Sequence, residues 1–420
     1  MQRTSKTVVI IGGGVIGASA ACYLKEKSLD VVLLEKGEIG HACSFGNAGY
    51  VCPSHFVPLA SPGLITQGLK WLLDPVSPFY IKPRVNFDLL AWLLVFRSHS
   101  TEKHVRDSMT TLRDLALASL DLYRDLATAK GLRFGLQERG LTMLFDSDKG
   151  KGVAAKEIDL AAGLGLEVRL LDQAGLAAMD PAIDFRCRGG IYWPGDSHID
   201  PASFMREIAR HVASLGVSVK TSMEVRAFRT ERGRITGVET NHGLVEGDEF
   251  VLAGGSWSPI LTRQLGIRLL LQPGKGYSVT VEQPAVKPRL PYILNEARVA
   301  ITPFEKSLRF GGTMELAGLD LSVTRRRVDA ILRAVPRYLG NVDTNGVSRE
   351  GAWSGLRPVS PDGLPYVGRF RKFPNLIAAT GHAMLGVTLA TGTGKLVSEI
   401  VAGDRPFMPI ERMAPDRFAS

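Results

Sequence analysis

Three glycines near the N-terminus have the spacing of a loop that binds phosphate. Gly12, Gly14 and Gly17 form G-x-G-x-x-G between an apolar run and a helix-compatible stretch. Glycines at these positions let backbone amides approach a pyrophosphate at the start of a helix. Glu35 ends the next apolar run, where its carboxylate would accept hydrogen bonds from ribose hydroxyls. The pattern predicts a bound dinucleotide, and the alternative is a tight turn beside a solvated glutamate.

The stretch WSGLRPVSPDG, residues 353–363, contains the second candidate, Arg357. Pro358 restricts the residue before it to extended conformations, so the arginine side chain is held in one direction. A guanidinium group pairs with a carboxylate through two parallel hydrogen bonds, which fix orientation as well as charge. The carboxylate can belong to a ligand or to an acidic side chain of the protein.

Three aromatic or imidazole side chains are weaker candidates. Tyr277 in GKGYS could hydrogen-bond a carboxylate or an amine while its ring lines a pocket, or it could be a core tyrosine. His55 and His382 could each face the same pocket. A single histidine beside glycines is as often bonded to the backbone, so neither is assigned as a base.

The elements that position these residues alternate between two styles. Strand–turn–helix units occur at the N-terminus, after residue 196 and at the C-terminus, and helical or alternating-strand segments lie between them. Residues 64–130 are predicted to be helical, and GKGYSVTVE, RVAITPF and SLRFGGTMEL to be antiparallel strands. The sequence therefore predicts an α/β and α+β fold. A discontinuous Rossmann-like nucleotide domain would comprise 1–60, 196–262 and 353–420, and a substrate domain with a mainly antiparallel sheet would comprise 61–195 and 263–352.

The loop after Glu35 favours FAD over NAD. KGEIGHACSFGNAGYVCPSH is long and rich in small residues, with no immediate next helix, which suits a segment running beneath a large ring system. SFGNAG, PGKGYS, WSGLRPVSPDGLPYVG and ATGHAMLGVTLATGTGKLVSEI, in this order, together resemble the FAD-dependent D-amino-acid oxidase and dehydrogenase superfamily. The similarity covers essentially the whole chain and is greatest to the bacterial D-amino-acid dehydrogenases. His41 to Cys43 and SHFVPLASPG depart from that pattern and leave the substrate open.

The resemblance implies roles for individual residues. Arg357 would bind the carboxylate of an amino acid over the flavin, with Tyr277 as a second catalytic-site residue. The helix from about Val387 to Val401 would present its positive N-terminus to the pyrimidine end of the flavin. No metal is expected. The cofactor-binding residues would be Gly12, Gly14, Val15, Ile16, Gly17, Glu35, Lys36, Ser44, Asn47, Ala48, Gly49, Val225, Gly254, Gly381, Gly386, Val387 and Thr388.

The implied activity is oxidation of the α-carbon–amine bond of a D-amino acid. The product would be an imine that hydrolyses to a 2-oxo acid and ammonia, and a quinone or another acceptor would take the electrons. The alternatives are an oxygen-using oxidase of glycine, sarcosine or a cyclic amino acid such as hydroxyproline, and a dinucleotide-binding protein without turnover. Covalent flavin is not expected, because no cysteine lies in the C-terminal half.

Composition excludes some classes and leaves one surface open. The net charge is +9, but the basic residues are scattered, so nucleic acid is not expected as a partner. Four cysteines at irregular spacing make neither a disulfide framework nor a zinc pattern, and they fit a reducing cytoplasm. The apolar run Val8 to Leu24 is short for a membrane span and is interrupted by glycines.

An aromatic and basic segment precedes residue 100. Trp71 to Leu73 and Trp92 to Phe96 are interleaved with Lys70, Lys82, Arg84 and Arg97. A helix packed on the substrate domain explains this composition. The alternative is an interfacial patch that rests on anionic lipid, which would place a cytoplasmic protein peripherally on the inner membrane surface.

Overall fold

Two large β-sheets organise the described chain, residues 6–63, 77–82 and 86–418 of a computed structural model. The strands are β1 Thr7–Ile11, β2 Asp30–Leu34, β3 Tyr50–Val51, β4 Phe79–Ile81, β5 Leu141–Phe145, β6 Arg169–Leu171, β7 Gly189–Trp193, β8 Ser197–His198, β9 Ser218–Lys220, β10 Val225–Glu231, β11 Arg234–Thr240, β12 Gly243–Glu246, β13 Glu249–Leu252, β14 Gln272–Glu282, β15 Tyr292–Leu294, β16 Val299–Pro303, β17 Ser307–Leu316, β18 Trp353–Val359, β19 Tyr366–Arg369 and β20 Leu376–Thr380. The α-helices are α1 Val15–Glu26, α2 Phe87–His99, α3 Glu102–Thr128, α4 Asp148–Gly163, α5 Gln173–Met179, α6 Pro201–Ser214, α7 Ser258–Gln264, α8 Arg325–Tyr338 and α9 Ala390–Ala402.

The first sheet has the strand order β19-β20-β13-β1-β2-β9. Its pairings are parallel except that of β19 with β20. Continuous apolar runs such as TVVII and DVVLL form its centre, as expected for strands covered by helices on both faces. Helices α1 and α9 approach closely, because a Cβ atom at Gly394 would lie 2.6 Å from the backbone of Ser19. The predicted Rossmann-like sheet is confirmed.

The second sheet has the order β18-β14-β17-β16-β15-β5-β7-β6, with β4 added beside β17. Its pairings are antiparallel except β15 with β5 and β17 with β4, which confirms the predicted mainly antiparallel sheet. Side chains alternate between its faces. Val299 and Ile301 of β16 pack in the core that contains α8, whereas Thr302 faces the segment around Ala48.

Some local predictions need correction. Phe79–Ile81 is a strand within the range predicted to be helical. The last helix begins at Ala390, not near Val387, because a 3₁₀ turn at Ala383–Leu385 precedes it. Trp353–Val359, placed by prediction at the start of the last nucleotide-domain segment, pairs with β14 in the mainly antiparallel sheet. The domain boundaries otherwise stay a prediction.

The aromatic segment before residue 100 is divided between core and surface. Trp92 and Phe96 are buried and stacked, and Trp92 Nε1 donates a 2.9 Å hydrogen bond to Val359 O. Phe87 and Leu94, on the same helix, are exposed. Lys70, Trp71 to Leu73 and Arg84 lie outside the described residues. Within the described ranges, every helix is too short or too polar to cross a bilayer.

Candidate functional site

A cavity of about 2100 Å³ opens between the two sheets. Its wall runs from Gly12 and Glu35 beside the parallel sheet to Gly311 and Arg357 of the antiparallel sheet. Small-molecule pockets usually measure roughly 300–1,000 Å³. The cavity therefore has room for a dinucleotide and a small substrate together.

The glycine loop meets the geometric needs of a pyrophosphate site. Gly12 has a φ of 109°, and a Cβ atom there would lie 2.5 Å from Ala253 O. A Cβ atom at Gly17 would lie 1.9 Å from Gly12 O, so this glycine allows α1 to pack against the loop. Ser44 Oγ accepts a 3.0 Å hydrogen bond from the amide of Val15 at the start of α1. The first turn of α1 therefore borders the cavity, as predicted for a phosphate site.

Glu35 lies at the cavity wall with its carboxylate held by backbone amides. Oε2 accepts from the Gly13 amide at 2.7 Å and Oε1 accepts from the Gly37 amide at 2.9 Å. Each carboxylate oxygen keeps a further lone pair that can accept from a ribose hydroxyl. Lys36 Nζ lies 3.7 Å from the centre of the Trp257 ring, which also lines the cavity. Trp257, in GGSWSP, was not among the predicted site residues.

The loop at 44–49 is attached to the antiparallel sheet by side-chain donors. These hydrogen bonds are Ser278 Oγ to Gly46 O at 2.8 Å, Thr302 Oγ1 to Ala48 O at 2.7 Å and Arg309 Nη1 to Asn47 O at 2.6 Å. Strands β14, β16 and β17 each supply one donor. The loop is therefore fixed across the cavity floor, which fits the predicted position beneath a large ring system.

Arg357 lies on the antiparallel-sheet side of the cavity. Its guanidinium group lies over Gly276, where a Cβ atom would be 2.2 Å from Nη1, and Nη1 donates a 2.6 Å hydrogen bond to Thr313 O. Burial lowers the pKa of Arg357 to about 10. Among the described residues, no carboxylate forms an ion pair with it. A partly buried cation without a counter-ion among the described residues, facing a cavity, is suited to an anionic ligand.

Trp353 was missed by the sequence interpretation. Its ring fills the space that side chains at Gly46 and Gly355 would need, since a Cβ atom at either position would lie 2.1 Å from a ring atom. Trp353 and Arg357 lie on the same face of β18, because they are four residues apart along a strand. The sequence signal that could have indicated Trp353 was the W-x-G-x-R spacing together with Gly46 of SFGNAG.

Tyr277 points away from this group. It lies next to Gly276 on β14, so its side chain projects from the other face of the sheet. Its hydroxyl donates to Glu315 Oε2 at 2.7 Å and lies 3.2 Å from Thr324 Oγ1, within the core that contains α8. Tyr277 is also among the residues that line the cavity, and its predicted role at the substrate stays a prediction.

Most predicted cofactor-binding residues line the cavity, and three do not. Those that line it are Gly12, Gly14, Val15, Ile16, Glu35, Lys36, Ser44, Asn47, Ala48, Val225, Gly254, Gly386, Val387 and Thr388. Gly17, Gly49 and Gly381 lie behind the wall, where added side chains would collide with neighbouring atoms. The residues present therefore fit FAD, and the individual contacts stay predictions.

The helix-terminus prediction is corrected by the start of α9. Gly386 to Thr388 lie in the turn before Ala390, not in the first helical turn. The amide of Gly392 already donates a 3.1 Å hydrogen bond to Ser119 Oγ. The N-terminus of α9 is thus partly satisfied by α3, whereas Gly386, Val387 and Thr388 line the cavity and their presentation to the flavin stays a prediction.

Both candidate histidines line the cavity. His382 Nε2 lies 2.9 Å from Thr393 Oγ1, and burial lowers the pKa of His382 to about 3. His55 Nδ1 lies 3.2 Å from Ser54 Oγ, and burial with the nearby Arg298 charge lowers the pKa of His55 to about 4. Both imidazoles are therefore neutral near pH 7.

Cys52, His55 and Asp196 bring a sulfur, a nitrogen and a carboxylate oxygen within 4.8 Å of one another. Such a set can bind a metal only when the sulfur is a thiolate. Burial raises the pKa of the Cys52 thiol well above its usual range, so without a metal ion the sulfur keeps its proton. The sequence did not indicate this cluster, because its members come from distant segments.

The chain is similar to known proteins over nearly its whole length. Residues 7–400 match the model of the DAO family, described as FAD dependent oxidoreductase. The D-amino acid dehydrogenase of Granulibacter bethesdensis is 32% identical over 98% of this chain and 99% of its own. That of Methylobacterium radiotolerans is 35% identical over 98% of this chain and 100% of its own.

Solved structures show the same fold. Glycine oxidase from Geobacillus kaustophilus matches with a TM-score of 0.78 and 22% identity, covering 98% of this chain and 99% of that one. L-proline dehydrogenase from P. horikoshii matches with a TM-score of 0.74 and 20% identity, covering 99% and 98%.

Proposed function

Because the chain belongs to the DAO family of FAD-dependent oxidoreductases, we propose that it oxidises the α-carbon–amine bond of a D-amino acid. The product is an imine, which water converts to a 2-oxo acid and ammonia. The names of the two bacterial relatives support the D-amino acid as substrate. Bound FAD supplies the electron sink for this reaction.

The observation that carries the proposal is the guanidinium group of Arg357, which forms no ion pair with any carboxylate in the described part of the chain. It faces the cavity beside the loop at 44–49, with one donor used on Thr313 O. Its remaining donors can form two parallel hydrogen bonds with the α-carboxylate of an amino acid. This contact fixes the α-carbon relative to the cofactor, which is the main requirement for hydride removal. The ring of Trp353 bounds the same space and limits how the substrate can turn.

The proposed electron acceptor is a quinone or another carrier. The proposed location is the cytoplasm, with the protein bound peripherally to the cytoplasmic side of the membrane. Support comes from the outer face of α2, where Phe87, Leu90 and Leu94 are exposed. Arg97, seven residues after Leu90 on the same helix, is also exposed, as is Lys82 before the helix. Apolar and basic side chains in this combination suit an anionic lipid surface.

The reaction is tested by anaerobic mixing of the purified yellow protein with a panel of D- and L-amino acids. Bleaching of the flavin absorbance by D-amino acids is the expected result, and bleaching by no member of the panel would contradict the proposed activity. Peroxide formed at the rate of turnover under air would identify oxygen as acceptor, which is the alternative activity.

Membrane association is tested by sedimentation with vesicles that contain anionic lipid. Binding should weaken as salt rises, because exposed charges are screened over about 8 Å at physiological ionic strength. A variant with Phe87→Ser and Leu94→Ser should bind less at low salt. Absence of binding by the unchanged protein at low salt would contradict the membrane proposal.

A further inference from the structure

Three polar side chains form a hydrogen-bonded series that leads from the cavity wall into the protein. Strand β3 pairs with β8 in antiparallel register, Val51 opposite Ser197, which brings the turn after β3 against Asp196. Ser54 Oγ lies 2.5 Å from Asp196 Oδ2 and 3.2 Å from His55 Nδ1. The Ser54 amide also donates to Asp196 Oδ1 at 3.0 Å. Two hydrogen bonds therefore fix the carboxylate to the residue that bridges it to the imidazole.

The hydrogen-bond directions follow from the proton count. When Asp196 is ionised, the single hydroxyl proton of Ser54 goes to the carboxylate. Ser54 Oγ can then accept the Nδ1 proton of His55, which leaves a lone pair on Nε2. Among the described residues Nε2 has no hydrogen-bond partner, and His55 lines the cavity. The free end of this series of hydrogen bonds is thus a proton acceptor that faces the cavity.

The protonation states suit transfer at neutral pH. Burial, with Arg298 nearby, lowers the pKa of His55 to about 4, so its imidazole is neutral and passes a proton on instead of retaining it. Burial raises the pKa of Asp196 to about 7, despite hydrogen bonds from Ser54 and Cys52 that lower it. A carboxylate with a pKa near the working pH can both take and release a proton.

Among the described residues, few other ionisable groups affect the protonation of His55, Ser54 and Asp196. Arg298, in the turn between β15 and β16, acts on His55, and Glu157 of α4 acts on Arg298. The Cys52 thiol faces the carboxylate and stays protonated, and Tyr192 of β7 is weakly coupled to it. Arg298 lies on the cavity side of β16. Its φ of 54° is a conformation that is unfavourable for arginine. Its charge adds to the effect of burial, which is the main reason that the lowered pKa of His55 keeps the imidazole neutral.

We propose that His55, Ser54 and Asp196 form a proton relay that deprotonates the amino group of the substrate before its α-carbon is oxidised. This inference rests on the proposed function. A free amino acid carries an ammonium group at neutral pH, and an ammonium nitrogen has no lone pair to assist hydride departure. The relay supplies the neutral amine that the reaction needs.

The proton and electron changes balance within the site. An N–H bond of the substrate ammonium breaks and its proton goes to His55 Nε2, while the nitrogen keeps the electron pair. The Nδ1 proton moves to Ser54 Oγ, and the Ser54 hydroxyl proton moves to the Asp196 carboxylate. Asp196 gains one proton in total, Ser54 keeps one hydroxyl proton, and His55 stays neutral with its proton now on Nε2. With the amine neutral, its nitrogen lone pair can assist departure of the α-hydrogen with its electron pair, for which FAD would be the acceptor when bound.

The test is the pH dependence of flavin reduction, measured by anaerobic stopped flow on FAD-loaded protein. Asp196→Asn keeps the size of the side chain but cannot take the proton, and His55→Gln removes the imidazole. Each variant should reduce its flavin about 100-fold more slowly than wild type at pH 7, with substrate half-saturation little changed. At about pH 10, where amines are largely neutral without help, both should approach the wild-type rate.

The recovery at high pH separates proton transfer from structural damage, which would lower the rate at every pH. His242→Gln, at an exposed turn, is the matched control and should follow wild type. Equal losses at pH 7 and pH 10, wild-type rates at pH 7, or a stoichiometric metal ion in the purified protein would each overturn the relay. Failure of every amino acid to reduce the wild-type flavin would overturn the proposed function itself, a distinct result.

Discussion

Arg357 Nη1 donates a 2.6 Å hydrogen bond to the backbone carbonyl of Thr313, across the intervening strand β14. Thr313 has a φ of 66°, and the pairing of β14 with β17 shifts register beside it, from Tyr277 opposite Gly312 to Lys275 opposite Glu315. A β-bulge of this kind re-aims a strand near a functional site. The bulge turns a main-chain acceptor toward the guanidinium group and so fixes the direction of its remaining donors.

Buried polar groups stabilise this bulge on the face of the sheet opposite Arg357. Lys275 is fully buried, and its Nζ lies 2.9 Å from Asp320 Oδ2 and 3.9 Å from Glu315 Oε2. Glu315 accepts from Tyr277. The side chains of the lysine and tyrosine of GKGYS therefore form contacts on the face of the sheet opposite Arg357. Its two glycines leave room on the face that carries Arg357.

The first prediction concerns Arg357→Ala and Arg357→Lys. The alanine variant should keep FAD and fold but lose at least tenfold in kcat/KM, because a hydrogen bond to a charged group contributes roughly 1.5–3 kcal/mol and about 1.4 kcal/mol corresponds to a tenfold change. The lysine variant should recover part of this, since it offers one point charge instead of a planar fork. Steady-state kinetics with a D-amino acid provide the measurement.

An amine substrate without a carboxylate is the control for these variants. Wild type and Arg357→Ala should oxidise it at nearly equal rates. Wild-type turnover of the amino acid by the alanine variant would show that the carboxylate is bound elsewhere.

The second prediction is that Gly276→Ala lowers kcat/KM by about 10- to 100-fold. The new methyl group would occupy the place of Arg357 Nη1, and the end of a long side chain can move without disturbing the backbone. Gly152→Ala, in α4 where a Cβ atom meets open space, is the matched control. It should leave kinetics unchanged and raise stability by roughly 0.5–1 kcal/mol. Equal kinetics for both variants would count against the position assigned to the guanidinium group.

The third prediction concerns the cofactor. Glu35→Ala should weaken FAD binding to the apoprotein by about 10- to 100-fold, because it removes acceptors for ribose hydroxyls and for the Gly13 amide. Glu38→Ala is the control, since that side chain is 75% exposed and close in sequence. Titration by flavin fluorescence measures both affinities. Similar affinities for the two variants would remove Glu35 from the cofactor site.

Sequence and structure agree where function depends on local spacing. The glycines at 12, 14 and 17 and Glu35 were identified because a strand, a turn and a helix follow one another directly. The face on which Tyr277 projects depends on strand register, which is set by pairing with a distant strand. The cluster of Ser54 and Asp196 joins positions 142 residues apart through the pairing of β3 with β8, and no local pattern records that contact.

The last prediction is a pH dependence of stability that comes from His198. Its Nε2 lies 3.1 Å from Pro303 O, and its buried Nδ1 has no partner among the described residues. Burial, with the Arg139 charge nearby, lowers the pKa of His198 from 6.5 to about 4. Between these values the unfolded chain binds more protons than the folded protein, so stability rises with pH and falls on acidification.

The contribution of His198 is complete above about pH 6.5 and is lost as the pH falls toward 4, by at most roughly 1.4 kcal/mol per pH unit. Asp196 acts in the opposite direction, because its raised pKa lets the folded protein hold the extra proton. A difference between variants therefore isolates the histidine. The melting temperature of His198→Gln should decline less steeply than that of wild type from pH 6.5 to 4, whereas His242→Gln should run parallel to wild type. A His198→Gln curve parallel to wild type over that interval would show that His198 is not held neutral by the fold.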